Sequence, residues 1–323
     1  MARRGWIAKR SAAGAVDLGA TLHAASGSIA LRNPIIAASG TFGYGSEFAQ
    51  ICPPRELGAI TVKSLACFAH DGNPPLRTAE GSGGGMLNSV GLAGPGIDAW
   101  VDDELSALES SGATIIVSLW GRSIDDYAKA AAVAHTLVGR VSAIELNLSC
   151  PNLGGHEMFA QSQTLTRDTL LACAGPIPMF AKLTAQVTDV IGIARAAIDA
   201  GATGLTLINT MPGLAINLAT RRTKLGAGGG GLSGAPIHSI ALRTVAEVHR
   251  VMPTVPIIGT GGVATGAEVV AMLMAGASAV GVGTATFAAP AATIRIRDEV
   301  AQWCAKNNVE TVHELVGTMR WPK

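Results

Sequence analysis

The sequence predicts an α/β fold, a (β/α)8 TIM barrel in a single domain spanning 1–323. Three observations point there. Eight short apolar runs recur along the chain, most separated by a stretch with helical spacing. Each run is nearly continuous in apolar residues, the pattern of parallel strands buried on both faces. Most end in polar residues or glycine, and barrels build their sites at that C-terminal rim. A doubly wound sheet is the alternative, but the even spread of polar residues at the strand C-terminal ends favours the barrel.

The composition agrees. The 323 residues are 48% hydrophobic and 15% charged, enough apolar material for one large core and too little charge for a disordered chain. The net charge of +1 gives no global electrostatic reason to bind nucleic acid or an anionic membrane. The 40 glycines sit singly or in small clusters at turns. Five cysteines, Cys52, Cys67, Cys150, Cys173 and Cys304, show no CxxC spacing. Neither a disulfide framework nor a metal or iron–sulfur site within this chain is expected. Residues 1–16 read as a polar leader without the apolar stretch of a signal peptide. No run of about 18 apolar residues occurs, so no transmembrane helix is expected, and a reducing cytoplasm is the simplest compartment.

Weak alternation over 17–31 predicts a hairpin plugging one end of the barrel. The strands follow at 35–38, 59–62, 114–119, 143–148, 179–183, 204–208, 257–259 and 279–282. Helices are predicted at 97–108, at 123–137 with Ser123 as N-cap, at 187–200 stopping at Gly201, and at 237–251 and 266–275. Terminal helices are expected at 291–306 and 309–317. Two long aperiodic stretches, 70–96 and 211–235, read as functional loops because loops of that length are rare in a compact domain.

Four constellations carry chemistry. Glycine turns close the last two strands, Gly259-Thr260-Gly261-Gly262 and Gly281-Val282-Gly283-Thr284. Turns there suit a phosphate, although glycines also simply make tight turns. Two lysines, Lys63 and Lys182, end buried strands. One alone would be read as snorkelling. Two on one rim, with few acidic partners in the same loops, argue for an anionic ligand such as a reduced flavin. Asn88, Asn147, Asn152, Asn209 and Thr210 offer the donors and acceptors that a planar ring of alternating C=O and N–H groups requires, a pyrimidine for example. Turn formation accounts for Asn152 but less well for Asn147 and Asn209, which close strands. The last is Cys150, just past the strand in AIELNLSCPN, beside Ser149. It is either a buried thiol or a reactive one. His156 sits nearby in a glycine-bearing loop, and no histidine is an obvious partner. A base acting on an acidic C–H therefore fits better than a protease-like nucleophile. The glycine turns and lysines alone also permit a second reading, a non-redox lyase or isomerase of a phosphorylated metabolite.

These residues fall in segments that resemble the dihydroorotate dehydrogenases, FMN-containing barrels of pyrimidine synthesis. The segments are NPIIAASGTFGYG (33–45), GNPPLR (72–77), GMLNSVGL (85–92), NLSCPN (147–152), KLT (182–184), INT (208–210), GGLSGAPI (230–237), GTGGV (259–263) and GVGTATF (281–287). Together they cover most of the chain, from Asn33 to about Phe287. The resemblance implies that dihydroorotate is oxidised to orotate. Cys150 would take the C5 proton while C6 gives a hydride to flavin N5, with Lys63 as a second catalytic residue. It assigns FMN to Ser39, Lys63, Ser64, Asn147, Lys182, Ile208, Gly234, Gly261, Gly262, Gly283 and Thr284. It assigns the substrate to Lys63, Asn88, Ser89, Val90, Gly91, Leu92, Asn147, Asn209 and Thr210. A cysteine in the base position is similar to class I of the family. GGLSGAPI, KLTAQVTD and the Gly154-Gly155-His156 run look like its heteromeric, NAD-linked form rather than the fumarate-using homodimer. That form implies a homodimer served by a partner subunit carrying FAD and an iron–sulfur cluster. One position departs from the family. Where an asparagine usually stands near the flavin after the third strand, this chain has Ser118, whose shorter side chain would lose a hydrogen bond or admit a water.

Overall fold

The computed structural model describes residues 16–24, 27–44, 47–149 and 158–322. The expectations for Cys150, Asn152 and His156 fall outside the described residues.

The strands in chain order are β1 (Ala20–Ala24), β2 (Gly27–Leu31), β3 (Ile35–Ala37), β4 (Ala59–Thr61), β5 (Thr78–Glu80), β6 (Met86–Asn88), β7 (Ile115–Leu119) and β8 (Ala143–Asn147). There follow β9 (Met179–Leu183), β10 (Gly204–Leu207), β11 (Met211–Gly213), β12 (Ile216–Asn217), β13 (Arg222–Thr223), β14 (Gly230–Ser233), β15 (Ile257–Thr260) and β16 (Ala279–Val282). Eight of these close a barrel in the order β3-β4-β7-β8-β9-β10-β15-β16, with β16 returning to β3. Every pairing around it is parallel. Each barrel strand lies within a residue of its predicted run at either end. The runs are legible because all eight strands are buried on both faces.

The hairpin β1–β2 pairs Ala20 with Leu31 and buries Leu22 and Leu31. Ala20, Thr21 and His23 share a cavity with residues 253–256, Gly276 and Ser278, which precede the last two barrel strands. The hairpin therefore sits at the N-terminal end of the barrel, opposite the rim where the strands end.

The helices are α1 (Ile97–Asp103), α2 (Leu105–Ser110), α3 (Ile124–His135), α4 (Gln163–Ala172), α5 (Val190–Asp199), α6 (His238–Val251), α7 (Gly266–Ala275), α8 (Ala285–Ala288) and α9 (Ala292–Lys306). Ser123 caps α3 through a reciprocal box with Asp126, and Thr265 caps α7 the same way with Glu268. Three expectations are corrected, and one helix was not foreseen. The helix predicted over 97–108 is two, because Glu104 opens the turn with φ −116°. The helix predicted over 309–317 is only a 3-10 turn, Val312–Leu315, ended by Gly317 at φ 71°. Helix α4 had no prediction, because Thr166 and Thr169 occupy buried positions where apolar residues would have given the period. The two long loops are partly ordered as sheet. Strands β5, β6, β14 and β11 form an antiparallel four-stranded layer.

Candidate active site

Successive strand residues point to opposite faces, so register decides which polar side chains meet. Ser118 on β7 pairs with Glu145 on β8, and Asn147 pairs with Lys182 on β9, which in turn pairs with Thr206 on β10. Parallel register puts all of them on the same face of the wall, with their side chains inside the barrel.

Inside, they form one chain of contacts. Lys182 Nζ lies 3.4 Å from Glu145 Oε1, and the Ser118 hydroxyl donates to the same oxygen at 3.2 Å. Ser118 Oγ is 2.9 Å from Ser64 Oγ, which accepts from Asn147 Nδ2 at 3.0 Å and lies 3.3 Å from Ser39 Oγ. On the far side, Asn209 Nδ2 donates to Asn147 Oδ1 at 3.0 Å and to the Ser149 carbonyl at 3.0 Å. Ser149 Oγ donates to the Lys182 carbonyl, and the Tyr127 hydroxyl donates to the Asn147 carbonyl at 2.7 Å. The strand end that leads to Cys150 is thus fixed up to Ser149 from three neighbouring elements.

This network backs a cavity of about 340 Å³ at the C-terminal rim. Of the residues assigned to cofactor or substrate, Ser39, Lys63, Ser64, Asn88, Val90 and Gly91 line it. So do Leu92, Asn147, Lys182, Ile208, Asn209 and Thr210. Gly234, Gly261, Gly262, Gly283 and Thr284 line its opposite end. Ser118 and Ser89 lie behind the wall, both buried. Ser89 Oγ accepts from Asn73 at 2.9 Å, and Ser118 is fully engaged with Glu145 and Ser64. The small side chain at 118 leaves no hydrogen bond unmade on its own hydroxyl.

Gly261 and Gly262 are required by the backbone. Gly261 has φ 136° and Gly262 φ 69°, and a Cβ on Gly261 would stand 2.5 Å from the Ala241 methyl. Among the described residues, the N–H groups of Gly261, Gly262, Gly283 and Thr284 reach no acceptor. Free N–H groups facing a cavity wall are the donor set that a phosphate takes.

The two lysines differ. Lys182 and Glu145 are both buried, which corrects the expectation that acidic partners are scarce around the lysines. That expectation considered only the loops, and the acid lies within the strand. Lys63 Nζ instead sits 5.5 Å over the Tyr44 ring and joins no ion pair among the described residues. Burial pushes its ammonium below the usual lysine range, and the Arg77 charge adds to this, while Glu47 opposes it. Burial, with help from Glu47 and Glu104, pushes Tyr44 up to about 12, so the ring beneath Lys63 is a neutral phenol. Arg77 is anchored by donating to the carbonyls of Asn73 at 2.6 Å and Asp71 at 2.7 Å. Sequence reasoning missed Glu145, Tyr127 and the electrostatic part of Arg77. A lone acid inside the apolar run AIELN was the available signal for the first.

The residues fit an organic phosphate carrying a flat polar ring. They comprise free N–H groups at one end, carboxamides and a hydroxyl at the other, and two cations between.

The model of the dihydroorotate dehydrogenase family matches residues 22–303. A relative from Geobacter sp. (strain M21), named dihydroorotate dehydrogenase B (NAD(+)), catalytic subunit, is 42% identical over 294 residues, 90% of this chain and 95% of the relative. A relative of the same name from Alkaliphilus oremlandii is 41% identical over 295 residues, 90% and 96% of the two chains. A third, from Solibacter usitatus, is 40% identical over 296 residues, 91% and 96%, and its name assigns it provisionally to dihydroorotate dehydrogenase A (fumarate). With its barrel, its cavity and these matches, the chain belongs to the dihydroorotate dehydrogenase family.

Proposed function

We propose that the chain oxidises dihydroorotate to orotate in pyrimidine synthesis, with FMN as its cofactor. The observation that carries this is the convergence of Lys63, Asn88, Asn147, Lys182, Asn209 and the glycine turns on one cavity. FMN, when bound, supplies the acceptor for the hydride that leaves C6. The free N–H groups of Gly261, Gly262, Gly283 and Thr284 would hold its phosphate, with Gly234 packed beside them. Ser39, Ser64, Lys182 and Ile208 would hold the rest, and Ser118 supports Ser64 from behind. Asn88, Asn147, Asn209 and Thr210 would orient the substrate ring, and Val90, Gly91 and Leu92 would close over it, with Ser89 supporting that loop. Lys63 would receive the substrate carboxylate, an anion that relieves its buried charge.

Cys150 lies outside the described residues and takes its role from the family resemblance. As a thiolate it would remove the C5 proton. The anchored backbone at Asn147 and Ser149 supports that role, since a base must be held within reach of its proton. Cys150→Ser is expected to slow reduction of the bound flavin by several orders of magnitude, most strongly at neutral pH. Unchanged single-turnover reduction would remove Cys150 as the base.

For the final acceptor we favour NAD, reached through a partner subunit with FAD and an iron–sulfur cluster. The relatives from Geobacter and Alkaliphilus bear that name. Fumarate is the second reading, on the name of the Solibacter relative. NAD reduction that needs a co-purified partner supports the first, and fumarate reduction by the chain alone supports the second. We also propose a homodimer. Leu76, Leu214, Ile216 and Leu218 are all more than half exposed around the hairpin β12–β13, with Leu218 at 87%. Solution mass tests it. Cytoplasmic location is proposed on chemistry: Cys52, Cys173 and Cys304 are buried free thiols, and no helix among the described residues is long and apolar enough to cross a membrane.

The deciding experiment is a visible spectrum of the purified protein before and after anaerobic dihydroorotate. A yellow protein that bleaches is expected. A folded, colourless protein that FMN cannot reconstitute would sink the proposal.

A further inference from the structure

The buried carboxylate of Glu145 has no part in lining the cavity, yet it is the group to which the cavity's Lys182 is tied. Glu145 is 2% exposed. A buried carboxylate is costly, and a buried salt bridge is weak evidence for stability, because desolvation offsets most of the attraction. What the pair does fix is position and charge. The carboxylate is held from two sides. Lys182 Nζ stands 3.4 Å from its Oε1, and the Ser118 hydroxyl donates to the same oxygen at 3.2 Å. Ser118 is in turn fixed by Ser64, on which Asn147 also rests. The lysine's ammonium is therefore set against the cavity wall by a carboxylate on the neighbouring strand, and that carboxylate offsets its charge.

We propose that Glu145 is a positioning residue for the flavin chemistry: it holds the Lys182 ammonium in place and withholds part of its charge from the ligand. The inference rests on the proposed FMN site. A flavin gains negative charge on reduction, so a full positive charge beside it favours the reduced form over the oxidised form. A neutralised lysine favours it less. Glu145 thereby keeps the bound flavin a weaker oxidant than an unpaired Lys182 would make it, which suits a flavin that must pass its electrons on.

The test is the flavin midpoint potential of the FMN-loaded protein. Glu145→Gln keeps the shape and removes the charge. In this variant the preference for reduced over oxidised flavin should rise about tenfold, from Coulomb attraction at partly screened distances. For a two-electron couple that is an upward shift of about 30 mV. Glu145→Asp, which keeps the charge, should stay within about twofold of the parent. Ser118→Ala removes the hydrogen bond to the carboxylate together with the contact to Ser64, loosens the carboxylate that holds Lys182, and should shift the potential in the same direction by less. If Glu145→Gln does not fold, Ser118→Ala decides. A potential unchanged or lowered in the folded variant overturns the inference, and leaves Glu145 as a structural partner that would show only in thermal stability. A parent protein that takes up no FMN overturns the flavin site and this inference together. A parent that binds FMN normally, beside a Glu145→Gln variant of unchanged potential, overturns the inference alone.

Discussion

Lys182 closes one side of the cavity inside a salt bridge, whereas Lys63 closes the other with its charge exposed to burial and to Arg77. Both end buried strands, and both line the same space. On the β9 side, the protein supplies the counter-charge itself, so the lysine belongs to the barrel's structure before any ligand arrives. On the β4 side, the nearest support is an aromatic ring, and the charge is left for a ligand to complete. In the proposed site, preorganisation and binding are thus divided between two residues of one type. A fixed cation costs no rearrangement when charge develops nearby, and an uncompensated one gains most from an incoming anion.

The largest expected effect breaks the paired side. Lys182→Met leaves Glu145 buried without a counter-charge, with only the Ser118 hydroxyl beside it, and should cost about 3–5 kcal/mol of stability. Urea unfolding of the apoprotein measures it. The double variant Lys182→Met with Glu145→Gln should recover most of that loss, because it removes both charges. A single variant as stable as the parent would mean that the pair is solvated and the contrast between the lysines false.

The unpaired side should respond in the opposite sense. Lys63→Met should weaken dihydroorotate binding by about 2–3 kcal/mol, the scale of a charge-assisted hydrogen bond, seen as the concentration that half-bleaches the flavin. It should leave the apoprotein at least as stable as the parent, because a cation disfavoured by burial has gone. The pH dependence sharpens this. The native Lys63 holds its proton less tightly than the unfolded chain does. Between its lowered native value and the ordinary lysine value, the unfolded state carries more protons, so stability rises with pH through that window. The advantage of Lys63→Met over the parent should therefore be greatest below the window and shrink as pH rises through it. Unfolding midpoints of the two proteins measured from neutral to alkaline pH decide this; a constant difference would show that Lys63 is solvated.

How much of this was legible follows from burial. The barrel strands could be read because burial on both faces leaves a nearly continuous apolar run, as in IIVSL and MFAKL. The glycine turns and strand-end carboxamides could be read because each is costly unless something needs it. The rim sheet could not. Its strands are three or four residues of MPG, MLN and GGLS, which carry no period, and their order depends on the pairing of β6 with β14, segments more than a hundred residues apart. The difference between the lysines was hidden for a related reason. Lys63 and Lys182 have the same local signature, and only the register of β8 on β9 brings Glu145 to one of them. Position 118 shows the same limit. Sequence alone shows only a shorter side chain near the expected flavin, whereas the register shows which groups its hydroxyl meets, Glu145 and Ser64.

The smallest expected effect tests whether the paired side is as rigid as its hydrogen bonds imply. The Tyr127 hydroxyl, on α3, donates to the Asn147 carbonyl at 2.7 Å, and its ring meets Phe159 edge-on at 5.2 Å between centroids. Tyr127→Phe keeps the ring and removes the donor. Both groups are buried, so the loss should be about 1–2 kcal/mol, the cost of a buried acceptor left short of a partner. The Asn147 side chain keeps its own contacts to Ser64 and Asn209, so FMN affinity should change by less than about threefold. Thermal melting and an FMN titration on the same sample separate the two. A large loss of FMN binding with little loss of stability would mean that Asn147 is positioned through its backbone from α3 rather than through the side-chain network. The paired wall of the cavity would then depend on the outer helices as much as on the barrel interior.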